Sequence, residues 1–418
     1  MAHYRYLFGS WQTAMVDVEI PLYGVYITDR LNDVGYMQGS FNMDQTGKDN
    51  AVMLAATTPG KSFLVVLRDN VPIWGGYVTS RTYQSQSKSC QLYARAYEGY
   101  LDEVILPRPD PFDGINAVYD WGEEDQKVHF YLIMGQEGGF WFDETSAGPL
   151  FPMQFEEGFL IEEGDPEFDS LTPDEQFWDM RFTGVTRDLV VPRYDYKTCK
   201  SVIDSMANGL DGFDWRIVPR LVIDDNALSD IGQYIIPPNS IQVLKIVRFG
   251  YPYLNFGQDY GGLIFEYPGN ILNYYRTDNL AGAGTTIIGV GGGQGEEMLR
   301  REVTFPELVN HAGGFFPRDV VVPMKDIEDQ NILNARTEQE AMKRRPPKLQ
   351  YKVTVRPDML ENFDTNLIGS PATLIVKDPM HPVGASVQVR INEYALSPPS
   401  AESGAEEIAL GFVGDVEE

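Results

Sequence analysis

Cysteine and histidine are nearly absent, with two and four residues in a chain of 418. Cys90 and Cys199 stand far apart and in no metal-ligand spacing, which excludes a disulfide scaffold and reads as free, partly buried thiols in a reducing compartment. His3, His129, His311 and His381 form neither an HExxH nor an HxH pair, so no local zinc motif exists and no metal or cofactor is expected. Basic side chains are few: 33 Lys and Arg face 61 Asp and Glu, for a formal charge of -28. Such a surface repels nucleic acid and argues against ordinary DNA or RNA binding. Long apolar runs are missing too. No stretch approaches the ~20 residues of a membrane span. The start, MAHYRYLFGSWQTAM, lacks the basic head and apolar run of a signal peptide. The expectation is a soluble chain made in the cytoplasm, with no stable membrane insertion.

Long helical patterns are scarce as well, whereas 40 Gly, 27 Pro and 23 Tyr point to β-structure with many turns. The length suits roughly two to four domains. The fold class expected is mainly β, a β-rich α+β chain of several domains. Residues 1–106 read as short strands joined by tight turns: VDVEI, GVYI, a turn at Asn32-Asp33, YMQGSFNM, KSFLVVLRDN, VPIWGGYVTSRTY and SCQLYARAY. In the last of these Leu92, Ala94 and Ala96 share one face, and Tyr93, Arg95 and Tyr97 the other. This reads as a small antiparallel barrel or sandwich, the first of the chain. Within it Trp74 reads as an apolar anchor, with Gly75 and Gly76 permitting a bulge or bend.

Residues 107–190 change character, carrying twenty acidic side chains against four basic ones. VHFYLIM, GGFWFDE and QFWDMRF separate this segment from a disordered acidic tail, so it reads as an inserted, folded, acidic and aromatic lobe. From Asp195 the period changes. Cys199, Val202, Ile203 and Met206 form one helical face, with Asp195 as N-cap and Gly209 as the stop. FDWRIV then alternates as a strand, Phe213, Trp215 and Ile217 against Asp214 and Arg216, and IQVLKIVRF and GLIFEY follow, with TTIIGV a further strand just beyond, at 285–290. Residues 191–284 are thus an α+β middle domain. Residues 285–418 hold a helix around 328–343, stopped by Pro346-Pro347, and four strands, LQYKVTV, ATLIVK, SVQVRINEYAL and EEIALGF, which read as a second barrel.

Candidate chemistry is thin. GVGGGQG, residues 289–295, has Gln294 where a dinucleotide fingerprint needs glycine and no Gly-Lys-Ser/Thr after it, so it reads as a flexible connection. No GxSxG elbow occurs, and Ser80, the hydroxyl nearest Trp74, has no histidine close by. In FWFDET, residues 140–145, Asp143 and Glu144 lie beside aromatics as in a glycosidase cleft, but neighbours on a strand point to opposite faces and could not flank one bond. Aromatic anchors ringed by polar groups suit protein interfaces better.

In order along the chain stand RDNVPIWGGYV, CQLYARAYEGYLDEVILPR, CKSVIDSMANGLDGFDWRIV, LIFEYPGNILNYYRTDN and TTIIGVGGG, and then a β-domain introduced by a helix and Pro-Pro. This series resembles the minor tail proteins of long-tailed phages, in particular the central tail-tip or baseplate hub proteins of actinobacterial siphophages. The resemblance implies a structural, non-enzymatic protein without catalytic or cofactor-binding residues. It implies a homotrimer in which two barrels per chain build a ring of six units at the end of the tail tube. Its implied partners are the distal tail protein and tail tube, the tape-measure protein and other minor tail proteins, with genomic DNA only passing through the lumen during ejection. The implied location is the tip of the virion tail. A tail-tip cell-wall hydrolase and a receptor-binding tip protein are the alternatives.

Overall fold

The structure is a computed structural model. It describes residues 2–43, 50–106, 118–138, 153–155, 183–192, 195–208, 211–223, 241–254, 263–293, 295–310, 314–325, 327, 329–345, 348–360, 363–399 and 404–413. The N-terminal strands are β1 (Tyr4–Ser10), β2 (Val16–Glu19), β3 (Tyr23–Arg30), β4 (Tyr36–Asn42), β5 (Ser62–Arg68), β6 (Val71–Gln84) and β7 (Ser89–Ala96). A short helix α1 (Asn50–Ala56) lies between β4 and β5. The turns fall where the sequence places them: Asn32 before β4, and Asp69 and Asn70 between β5 and β6, all hold positive φ, a conformation Asn and Asp tolerate better than other side chains.

These seven strands do not stand alone. With β13 (Ile264–Tyr267), β14 (Ile271–Asn279), β18 (Lys348–Val355), β19 (Pro371–Val376), β20 (Ala385–Ser397) and β21 (Glu407–Val413) they make one thirteen-stranded sheet. Its main path runs β14-β18-β21-β20-β3-β4-β7-β6-β5-β1-β2, with β19 and β13 branching from β20. The seam between the halves is the antiparallel pair β3–β20, in which Asp29 faces Tyr394 and Ile27 faces Leu396. β13 and β14 come from the segment the sequence assigned to the middle of the chain, yet they pair with β19 and β18. One apolar core serves both halves: Phe8, Trp74 and Leu92 pack in the same cluster as Tyr394, Leu410 and Phe412.

KSFLVVLR is apolar almost throughout because β5 is buried on both faces. Leu64 and Val66 enter this shared core, while Phe63, Val65 and Leu67 enter a second one. The second core lies under β11 (Asp214–Ile223) and β12 (Ile241–Gly250), a ten-residue antiparallel pair extended by β9 (Met153–Phe155). Helices α2 (Gln126–Gly138) and α3 (Cys199–Ala207) complete it. Phe130, Phe213 and Phe249 stack at its centre, the last two with ring centroids 4.6 Å apart. Of the acidic segment 107–190, the described parts are β8 (Val118–Asp125), α2, β9 and β10 (Thr186–Pro192); β8 and β10 pair with each other. FWFDET lies outside the described residues. A third unit packs α4 (Gln330–Arg344) on a small sheet of β15 (Thr286–Val290), β16 (Arg300–Thr304) and β17 (Asp319–Pro323).

Several local expectations are corrected. Thr198 caps α3, its hydroxyl accepting from the Ser201 amide at 3.1 Å, while Asp195 stays exposed. Gly209 is outside the described residues, and Asn208 closes the helix. Tyr97 does not continue the polar face of β7: the chain turns there into a 3-10 helix, Tyr97–Asp102, and the ring is buried. Asp214 and Arg216, which alternate with apolar residues along β11, are buried like those neighbours. Gly75 and Gly76 sit in regular register opposite Val65 and Leu64. The bulge lies one residue before Trp74, at Ile73, and another at Thr79.

Candidate assembly site at the seam of the two halves

Trp74 is a core residue, 1% exposed. The glycines after it admit close approach. A Cβ on Gly75 would stand 2.6 Å from the Tyr97 ring and 3.0 Å from Pro219 of β11, and one on Gly76 would stand 2.1 Å from the Arg95 carbonyl. The pair therefore lets β6 press against β11 and the 3-10 helix. The bulge at Ile73 frees that residue's carbonyl from the ladder, and the Tyr394 hydroxyl of β20 donates to it at 2.9 Å. The kink in one half is thus completed by a side chain from the other.

Around this seam the buried charges gather. Arg216 on β11 donates to Asp29 on β3 and, at 2.8 Å, to the Thr365 carbonyl ahead of β19. Arg390 of β20 meets Asp214 at 2.5 Å, and the Leu254 amide donates to the same carboxylate at 3.1 Å. Asn32, in the β3–β4 turn, accepts from the Trp215 amide at 2.8 Å and donates to Asp214 at 3.0 Å. Glu98, from the 3-10 helix, accepts the Ile217 amide at 2.8 Å. Each partner comes from a different stretch of chain, so the network holds β3, β11 and β20 in one arrangement. A second clasp sits by β1 and β5, where Arg68 binds Glu406 at 2.8 Å and Tyr4 donates to the same carboxylate.

Two buried carboxylates, Asp29 and Glu98, lie near one guanidinium. Burial raises the Glu98 pKa to about 7, Asp29 adds to the rise, and Arg216 and the Ile217 amide oppose it. Asp29 is pushed up by burial and pulled down by Arg216. The seam thus retains a proton that a solvated glutamate would lose. Under the same β-layer, burial lowers Lys245 to about 7, with its ammonium 4.6 Å from the Trp11 ring centroid.

The residues weighed for chemistry are dispersed into packing roles. Ser80 lies on the outer face of β6 opposite Tyr93. Cys90 and Cys199 form no disulfide and are buried in different cores. Gly289 makes room for α4, since a Cβ there would strike the Thr337 hydroxyl at 1.9 Å. His129 is buried, its Nε2 2.9 Å from the Arg187 carbonyl, and His381 sits in the β19–β20 turn. Among the described residues no group of three His, Cys, Asp or Glu side chains could hold a metal ion, and no helix is long and apolar enough to cross a membrane. The seam network escaped the sequence reading. Its one signal was the start of the strand, DWRI, where Asp214 and Arg216 alternate with core residues.

No family model matches the chain, and no curated protein matches it. Solved structures do. The 43 kDa tail protein of prophage MuSo2 from Shewanella oneidensis aligns over 98% of this chain and 98% of its own, at 9% identity and a TM-score of 0.55. The fold is that of a phage tail protein. The tail protein from Neisseria meningitidis MC58 aligns over 99% of this chain and 96% of its own, at 10% identity and a TM-score of 0.54. In both cases the alignment runs end to end, so this tail-protein fold takes in both halves of the large sheet and the units between them.

Proposed function

We propose that this chain is a structural hub subunit of the tail tip of a long-tailed phage of the siphophage kind. The observation that carries the reading is the end-to-end tail-protein fold, covering 98% of each chain in the MuSo2 comparison. The seam adds support. A tube-closing piece must hold its β-modules at a fixed angle under load, and a shared sheet, a shared core and buried ion pairs do that. In this reading three copies close into a ring, each supplying an N-terminal module from within 1–106 and a C-terminal module of β18 to β21 with β13 and β14, flanked by the second core of β11, β12, α2 and α3 and by the third unit of β15 to β17 and α4. Six modules then match a six-fold tube while the rest of the ring stays three-fold. The ring docks the distal tail protein, the tape-measure protein and other minor tail proteins, and its role is shape, with no catalysis. Three copies carry three times the charge of -28, and acid along the lumen keeps DNA from sticking as it is ejected. Imaging of tail tips by electron microscopy tests this. Three copies with both terminal modules around a central passage are expected; a single copy, or modules placed apart from the passage, overturns it. Clearing of a peptidoglycan or arabinogalactan gel by the purified chain would replace the structural role with that of a hydrolase.

A further inference from the structure

The outer face of the β3-β4-β7-β6 sheet has a composition unlike the rest of the chain. Cross-strand pairing sets its rows: Tyr26 beside Gln38, Gln38 beside Tyr93, and Tyr93 beside Ser80; then Tyr23 beside Ser40, Ser40 beside Gln91, and Gln91 beside Thr82. Tyr23 is 51% exposed, Tyr36 45% and Tyr93 38%. β4, β6 and β7 contain no Asp or Glu at all, and the single acid of β3, Asp29, turns inward to Arg216. In a chain with 61 acidic residues this is a face without a carboxylate. Its charges are confined to the rim, where Arg95 is tied to Asp102 at 2.6 Å and Arg30 to Glu393 at 3.2 Å.

We propose that this tyrosine and amide face is where a second copy of the same chain docks. The inference rests on the ring reading and names the contact that builds it. Two bodies of charge -28 repel wherever acid meets acid, so self-association needs a contact surface to which at least one copy brings no acid. A cationic partner is drawn to the acidic surfaces instead. Exposed tyrosines on a rigid sheet supply apolar area with little side-chain entropy to lose, and Gln, Ser and Thr between them supply hydrogen bonds. Four strands ~4.8 Å apart and about five residues long give roughly 300–400 Å² in projection, the centre of a contact for which ~800 Å² per partner is usual.

Light scattering on the purified full chain at about 10–100 µM tests the proposal, the upper end being set by the weak micromolar regime. The wild type is expected to assemble, and to assemble more tightly as salt rises, because salt screens only the repulsion. Gln38→Glu with Gln91→Glu keeps the shape and adds two charges. This pair should weaken self-association at least tenfold without moving the melting temperature, whereas Gln38→Lys with Gln91→Lys should assemble as well as the wild type or better. If the Glu pair lowers the melting temperature, Tyr36→Ser with Tyr93→Ser is the substitute and should also dissociate the assembly. A wild type of single-chain mass at every concentration overturns the proposal, as does an assembly indifferent to the Glu pair. A single-chain wild type that binds a host-envelope glycan or another tail component through Tyr36 would give the face to that occupant. Tips that lack the chain would sink the hub reading and leave this result standing; three copies meeting through another face would sink this inference alone.

Discussion

Trp74 fills the shared core, and the two glycines after it let β6 lie close against its neighbours. The tryptophan is the expected anchor. The glycines, however, carry no bend; they are small because Tyr97, Pro219 and the Arg95 carbonyl occupy the space a methyl would need. Truncating Trp74 to Ala empties a core site and should cost about 3–5 kcal/mol. Gly76→Ala adds one carbon against backbone and should cost about 1–3 kcal/mol or more. Urea titrations of the two variants check both values. A neutral Gly76→Ala would mean that β6 and β7 can part at that point, and that the close approach is not required.

At the scale of elements, the β3, β11 and β20 seam is set by a proton as well as by hydrogen bonds. The Glu98 carboxyl has a raised pKa when folded, about 7 against an ordinary 4.5. The folded chain therefore holds a proton that the unfolded chain releases between those values, and this contribution to stability is present at low pH and fades as pH rises through about 7. Glu98→Gln keeps an oxygen for the Ile217 amide and should flatten stability across pH 5 to 7, where the wild type declines. Denaturation midpoints at pH 5, 6 and 7 read the difference, and parallel curves would assign the proton elsewhere. Element identity was legible in the sequence because strand alternation and turn residues are local: β3 to β7, α3 and α4 fall where period and punctuation put them. The seam was not legible. Asp214 and Arg216 alternate with Phe213, Trp215 and Ile217 as a half-exposed strand would, and only the arrival of Asp29 from β3 and Arg390 from β20 turns the polar face into a second interior. Thr198 took the cap from Asp195 for a similar reason, its hydroxyl being the one placed to reach the Ser201 amide.

Across the whole molecule, the terminal halves share a sheet and a core, so they should unfold together. Hydrogen exchange monitored in β7 and in β21 should report the same opening free energy, and destabilising either half by Trp74→Ala or by Leu410→Ala should lower protection in both. Exchange that drops in the mutated half alone would show two independent units joined by a weak contact. This cooperation is what the hub proposal requires, since a ring piece whose two modules breathe separately cannot present a fixed six-fold surface.

The pairing of Asp29 with Tyr394 also governs how the protein is made. Some 360 residues separate the partners, and a ribosome working at ~5–20 residues per second needs roughly 20–70 s to deliver the second after the first. For that interval β3 emerges with an unclaimed edge and half a core open to solvent. Synthesis must therefore proceed under the cover of chaperones, or at nascent-chain densities low enough that neighbouring unfinished polypeptides do not supply the missing strand to one another.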